Sequence, residues 1–135
     1  MSGKRKKKRD VRRFGTAAEA GYGFAQAVRV GKTIYISGQT ASAVDGAAEP
    51  GGDMTAQMRT AYARIAKLLE MYGATMANVV DETLFVTDME AAIPAAVAVR
   101  REAYGGLFDV ASTLIGVARL GGADLLVEIK CTARL

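Results

Sequence analysis

The chain has 135 residues, of which 50% are hydrophobic, and a formal net charge of +4, with one cysteine, no histidine and no tryptophan. That length suits one domain with a sizeable core, and no apolar run approaches the roughly 20 residues of a membrane-spanning helix. Without histidine and with Cys131 as the one cysteine, a structural zinc site and an intrachain disulfide are excluded. We therefore expect no metal, no cofactor and a reducing, cytoplasmic location.

Positive charge is concentrated near the start of the chain, in the run Lys4, Arg5, Lys6, Lys7, Lys8 and Arg9. Without these six of the 18 basic residues, 12 remain against 14 acidic residues, a net charge of −2. We predict that residues 1–10 form a flexible basic tail and that residues 11–135 form a single domain. A solubilising tail is favoured over one that binds nucleic acid or an anionic surface. No apolar segment follows the run, which argues against a secretory signal.

The first predicted elements form a hairpin. Residues 27–30 and 33–37 have strand-like composition, and Gly31 and Lys32 between them are typical of a tight turn. A polar run rich in glycine and proline over residues 43–52 predicts a loop.

Residues 53–72 carry the clearest helical pattern, with Asp53 as a candidate cap at the start and Gly73 as a terminator. Apolar residues recur there at three- and four-residue spacing, which predicts one buried face. This face consists of Met54, Met58, Ala61, Tyr62, Ile65, Leu68, Leu69 and Tyr72.

A strand is predicted over residues 79–87 and a second helix over residues 91–104, with Pro94 near its first turn. Asp88 is better explained as a cap of this helix than as a catalytic partner of Glu90. The last two strands span residues 113–117 and 125–133, around Gly121 and Gly122. Helices interleaved with strands in this order predict an α+β fold with a helical layer against the sheet.

The last strand has two unlike faces. Val127, Ile129, Cys131 and Ala133 suit contact with the helices, whereas Leu126, Glu128, Lys130 and Thr132 suit an oligomer interface with wet clefts. Glu128 is the carboxylate that we single out, because a mid-strand charge is costly unless it faces water or a partner. An exposed glutamate beside Lys130 is the equal alternative.

Residues 110–120 read Val-Ala-Ser-Thr-Leu-Ile-Gly-Val-Ala-Arg-Leu, which resembles a strand of the reactive intermediate deaminase (RidA/YjgF) family. That strand usually reads Pro-Ala-Arg-Thr-x-Val-x-Val-x-x-Leu, so Ser112 stands at the arginine position. Further matches, in order, cover residues 11–135. They are Phe24-Ala25-Gln26-Ala27-Val28, Ile36-Ser37-Gly38-Gln39, Val86-Thr87-Asp88 and Val127-Glu128-Ile129.

The resemblance implies a chorismate-mutase-like fold, with a mixed sheet of about six strands and two helices packed on one face. It also implies a homotrimeric barrel with a small metabolite bound in each cleft between subunits. The implied reaction is hydrolysis of an enamine or imine to a carbonyl compound and ammonia, and the alternative is a non-catalytic trimer that binds a ligand or partner. RNA cleavage ranks last, because the chain has no histidine and its net charge is −2 outside the basic run.

The same resemblance assigns the site. Glu128 would be catalytic, acting with a water, and Ser112, Gly38, Phe24 and Ser37 would bind substrate. The family's arginine grips the substrate carboxylate, and serine cannot replace its charged fork. Phe24 stands where the family has a tyrosine, and Ala98 where it often has an asparagine. Arg29 and Arg119 are the candidates to replace the missing cation.

Overall fold

A computed structural model of the chain describes residues 8–42, 52–107 and 109–135. Residues 43–51 of the loop predicted at 43–52, and most of the basic run, lie outside these residues. The elements are β1 (Arg9–Arg12), α1 (Ala17–Tyr22), β2 (Ala27–Val30), β3 (Thr33–Gln39), α2 (Met54–Glu70), β4 (Val79–Val86), α3 (Met89–Ala103), β5 (Ala111–Gly116) and β6 (Val127–Arg134), with a short 3₁₀ turn at Met76–Asn78.

The strands form one mixed sheet of six, in the order β1-β2-β3-β6-β4-β5. β4 and β5 are parallel and are connected through α3, and the other neighbouring pairs are antiparallel. α2 packs against β3, β6 and α3, so the long helices form one layer against the sheet. The predicted α+β fold, with six strands and two helices, is confirmed.

The core lies between this helical layer and the sheet. All eight residues of the predicted apolar face of α2 are buried, and so are Val127, Ile129, Cys131 and Ala133 of β6. Asp53 caps α2 by accepting a hydrogen bond from the amide of Ala56 at 2.8 Å. Glu128, Lys130 and Thr132 project from the other face of β6 and are half-buried or exposed in the single chain.

The sheet begins within the last two residues of the segment predicted as a basic tail, residues 1–10. β1 begins at Arg9, and Arg9 and Asp10 pair with Val30 and Arg29 of β2. The carbonyl of Asp10 also accepts a hydrogen bond from the hydroxyl of Tyr72 at 2.8 Å. An edge strand tolerates charged side chains because one of its faces and one of its edges are open to water. Because Arg9 and Asp10 are charged, the sequence did not reveal that they begin the first strand.

The second long helix begins earlier than predicted. α3 starts at Met89, and the side chain of Asp88 accepts a hydrogen bond from the amide of Ala91 at 3.2 Å. Capping by Asp88 is confirmed. Pro94 lies inside the helix instead of in its first turn, and there it removes one backbone hydrogen bond. No helix among the described residues is long and apolar enough to cross a membrane.

Candidate active site

Glu128 faces a cleft of about 720 Å³ bounded by α1, the end of β3, the middle of α2 and the start of β6. Of the predicted site residues, Gly38 and Phe24 line the same cleft. The remaining lining residues include Phe14, Thr16, Tyr22, Gln26, Gln39, Thr40, Arg64 and Leu125. The structure therefore brings together three of the predicted residues in one chain.

Gly38 is required by the position of Glu128. A Cβ atom added at Gly38 would lie 2.6 Å from Cδ and 2.7 Å from Oε2 of Glu128. Such distances are far inside van der Waals contact, so any side chain at position 38 would displace the carboxyl group. The glycine at position 38 therefore leaves room for the Glu128 carboxyl group between the end of β3 and the cleft.

Ser37 is hydrogen-bonded to the backbone of the segment that precedes β2. Its hydroxyl donates to the carbonyl of Ala25 at 2.7 Å, and its amide donates to the carbonyl of Gln26 at 2.9 Å. The side chain of Gln39 donates to that of Gln26 at 2.8 Å. Among the described residues Ser37 does not line the cleft. Its predicted contact with substrate thus finds no support in the single chain.

Glu19 holds the backbone of residues 14–16, which form one wall of the cleft. Its carboxylate accepts hydrogen bonds from the amides of Phe14, Gly15 and Thr16 at 2.8, 2.7 and 2.6 Å. Burial alone would raise the pKa of Glu19, but hydrogen bonds from the Phe14 and Thr16 amides and from Gln26 outweigh it, so the pKa lies below its ordinary value. Glu19 thereby holds residues 14–16 in place along the cleft.

Ser112 lies away from Glu128 in the single chain. It is on β5 at the outer edge of the sheet, paired with Glu82 of β4, whereas Glu128 is on β6 and pairs with Phe85. Its hydroxyl donates to Oε2 of Glu82 at 2.5 Å. In the described part of the chain Ser112 does not line the Glu128 cleft. A substrate site that contains both Ser112 and Glu128 would therefore have to lie between two subunits.

Glu82 is fully buried and was missed by the sequence analysis. Its carboxylate accepts four hydrogen bonds, from the hydroxyls of Tyr62, Tyr104 and Ser112 and from Nε of Arg100, at 2.7, 2.5, 2.5 and 2.6 Å. Burial and then the adjacent Glu82 raise the pKa of Tyr62, so its hydroxyl remains a donor. Four donors compensate for the burial of one carboxylate. We call these five residues the Glu82 cluster.

The candidate replacements for the missing arginine lie elsewhere. Nε of Arg29 donates to the carbonyl of Gly31 at 2.8 Å, and Nε of Arg119 donates to the carbonyl of Leu120 at 3.2 Å. Neither lines the Glu128 cleft among the described residues. Arg64 of α2 does line it and donates to the carbonyl of Thr40. No sequence signal distinguished Arg64 from other surface arginines.

The fold and the sequence are both shared with known proteins. The family model described as Endoribonuclease L-PSP matches residues 14–135. The crystal structure of Rv2704 from Mycobacterium tuberculosis, a member of the YjgF/YER057c/UK114 family, superposes with a TM-score of 0.83 at 30% identity, covering 95% of this chain and 100% of that one. The chain belongs to the RidA/YjgF family.

Two further RidA/YjgF relatives have about one third of their residues in common with this chain. The RutC family protein YjgH of Escherichia coli (strain K12) is 33% identical over 112 residues, which is 83% of this chain and 82% of that protein. The 2-iminobutanoate/2-iminopropanoate deaminase of Dermatophagoides farinae is 32% identical over 97 residues, 72% of this chain and 74% of that protein.

Proposed function

We propose that this RidA/YjgF chain forms a homotrimer that hydrolyses a small enamine or imine to a carbonyl compound and ammonia. The position of Glu128 supports the proposal: its carboxyl group lies beside Gly38 and faces a cleft large enough for a small metabolite. The relative from Dermatophagoides farinae, named as an iminobutanoate and iminopropanoate deaminase, supports the same chemistry.

The proposed reaction needs one carboxylate and one water. Glu128 accepts a proton from water as the water oxygen adds to the carbon of the protonated imine, and a neutral carbinolamine forms. The Glu128 carboxyl group then gives this proton to nitrogen, the carbon–nitrogen bond breaks and ammonia leaves, and the hydroxyl group returns its proton to the Glu128 carboxylate as the carbonyl forms. An enamine first tautomerises to the imine by taking a proton on carbon. Each step uses Glu128 alone as acid or base.

The trimer is proposed on two grounds. The face of β6 that bears Glu128, Lys130 and Thr132 is incompletely buried in the single chain. Ser112, which the family resemblance assigns to the substrate site, is on β5, apart from Glu128. Packing of the β5 edge of one subunit near the Glu128 cleft of the next would unite the two.

Release of ammonia tests the proposal. An enamine generated in situ from L-threonine by a dehydratase is the substrate, and sedimentation equilibrium should give three times the 14.2 kDa chain mass. Glu128→Gln should lower the rate by about 100-fold or more, because general acid–base catalysis contributes that much. Asp124→Asn, which removes an exposed charge near the start of β6, is the matched control.

A trimer that is inactive as wild type would favour the alternative, a non-catalytic protein that binds a ligand or partner. A monomer at micromolar concentration would contradict the shared cleft. Undiminished activity in Glu128→Gln would remove Glu128 from the mechanism.

A further inference from the structure

Arg100 lies beside the position where the family's arginine is missing. Its Nε and the hydroxyl of Ser112 donate to the same oxygen, Oε2 of Glu82, at 2.6 and 2.5 Å. The two side chains therefore meet at the edge of the sheet, although one comes from α3 and the other from β5. A guanidinium group is present at this edge after all, carried by a helix instead of a strand.

The Glu82 cluster holds this guanidinium in one orientation. Glu82 is fully buried, and the Arg100 side chain is 25% exposed, so the pair extends from the core to the surface. The Arg100 guanidinium also lies 5.6 Å from the ring centre of Tyr104. An arginine fixed on two sides loses little side-chain freedom when it binds a ligand.

Arg100 keeps donors beyond the one that binds Glu82. Arginine has five N–H groups, and only one of them is on Nε. The bond to Glu82 uses Nε, and Tyr62 is also hydrogen-bonded to the guanidinium, so the terminal nitrogens keep N–H groups beyond these two bonds. The terminal nitrogens form the fork that matches a carboxylate.

Stability alone does not explain the buried ion pair between Arg100 and Glu82. A buried ion pair often contributes less to stability than apolar residues of the same volume, because both charges lose their water. Val99, which precedes Arg100, and Leu84, two residues after Glu82, are apolar and buried. A carboxylate that orients a partly exposed arginine explains why the charge is there.

We propose that Arg100 is the residue that binds the carboxylate of the substrate, in place of the arginine that the family has at position 112. The inference rests on the proposed function, because the trimer must bring the β5 edge near Glu128 of another subunit. It assigns the substrate to the 2-imino acids and related enamines. Arg64 is the competing cation, since it lines the Glu128 cleft of its own subunit.

Binding of a stable product analogue tests the assignment. 2-Oxobutanoate carries the carboxylate, and 2-oxobutanamide is its uncharged counterpart; each is titrated calorimetrically into the full-length protein. Arg100→Gln should weaken 2-oxobutanoate binding by roughly 10- to 100-fold and leave amide binding unchanged. Arg59→Gln is the matched control, because Arg59 forms an exposed ion pair with Glu102 at 2.8 Å and is not one of the four donors to Glu82.

An exchange variant protects the test against misfolding. Arg100→Ser combined with Ser112→Arg keeps Glu82, one arginine and one serine, and moves the cation from α3 to β5. It should recover most of the affinity for 2-oxobutanoate that Arg100→Gln loses. Thermal midpoints and sedimentation of all variants establish that they are folded and assembled.

Three results would overturn the assignment: equal binding of 2-oxobutanoate by Arg100→Gln and wild type, equal or absent binding of acid and amide by wild type, or a loss that follows Arg64→Gln instead. Ammonia release distinguishes these from failure of the proposed function. If Glu128-dependent hydrolysis persists in Arg100→Gln with unchanged kcat/KM, only the role of Arg100 is lost. If wild type shows no hydrolysis, the function itself is wrong.

Discussion

The carboxyl group of Glu128 lies so close to Gly38 that a side chain at position 38 would overlap it. Gly38→Ala should therefore rotate the carboxyl group out of place and lower kcat/KM for imine hydrolysis by about 100-fold, since a shift near 1 Å is enough for that. The fold should survive, because the displaced atoms are at the end of a flexible side chain. Ammonia release with a thermal melt measures both.

Gly21→Ala is the control for that substitution. Gly21 is in α1, and an added Cβ there would meet nothing within 4 Å. It should leave both activity and the thermal midpoint unchanged. Full activity in Gly38→Ala would show that the carboxyl position seen here is not the catalytic one.

Local patterns predicted the long elements well. Seven of the eight predicted core positions lie in α2, where the apolar spacing depends on one helix alone; Tyr72 follows the helix, and all eight are buried. β1 was missed because its strand pairing with β2 overrides the solvation expected of Arg9 and Asp10. α1 was missed because it is six residues long, too short for a periodic signal.

The site was predicted only where its residues belong to family motifs. Gly38 and Glu128 meet because β3 and β6 are neighbours, and both positions carry family motifs. The Glu82 cluster draws its members from α2, β4, α3 and β5, and no spacing in the sequence reveals such a meeting. The hydroxyl of Ser112 is accordingly bonded to Glu82, which the sequence did not reveal, and its contact with substrate stays a prediction.

Glu19 predicts a stability effect that depends on pH. Glu19→Gln should lower the free energy of unfolding by about 1–3 kcal/mol at pH 7, because the amide cannot accept as the carboxylate does from three backbone N–H groups. The pKa of Glu19 is depressed in the folded state, so its contribution is present above the ordinary value of 4.5 and is lost as the pH falls through the lower folded pKa.

Urea unfolding at pH 7 and at pH 3 measures this difference. The gap between wild type and Glu19→Gln should shrink at the lower pH. Glu70→Gln, at an exposed position near the end of α2, should show no gap at either pH. A gap for Glu19→Gln that widens on acidification would contradict the depressed pKa.

Cys131 should be unreactive in the folded protein. It is 1% exposed, and burial, followed by the nearby Glu82, raises the pKa of its thiol to about 12. The thiolate that reacts with disulfide reagents is then scarce at pH 8. Ellman's reagent should detect no thiol in the folded wild-type protein within an hour, and one thiol per chain in denaturant. The control is Ala123→Cys, at an exposed position, in which the folded protein should show one reactive thiol within minutes. Rapid reaction of the wild-type protein would mean that the core opens readily.

The basic tail should be dispensable up to Lys7 but no further. The run from Lys4 to Arg9 offers no apolar residue to bury. Deleting residues 1–7 should leave the thermal midpoint within a few degrees, as exposed changes usually do. Deleting residues 1–12 removes β1 and the acceptor of the Tyr72 hydroxyl, and should lower the midpoint by more than about 5 °C. Equal midpoints would show that β1 contributes nothing.

The last strand along the chain is also the strand that joins the sheet. β6 lies between β3 and β4, and no other strand in the described part of the chain connects the β1-β2-β3 half to the β4-β5 half. Pairing of β3 with β6 closes a long loop, which makes folding slow relative to helical proteins of this size. During synthesis, the edges of β3 and β4 that pair with β6 stay unpaired until residues 127–134 have left the ribosome. A chain interrupted before β6 would therefore be a substrate for chaperones and a source of aggregation.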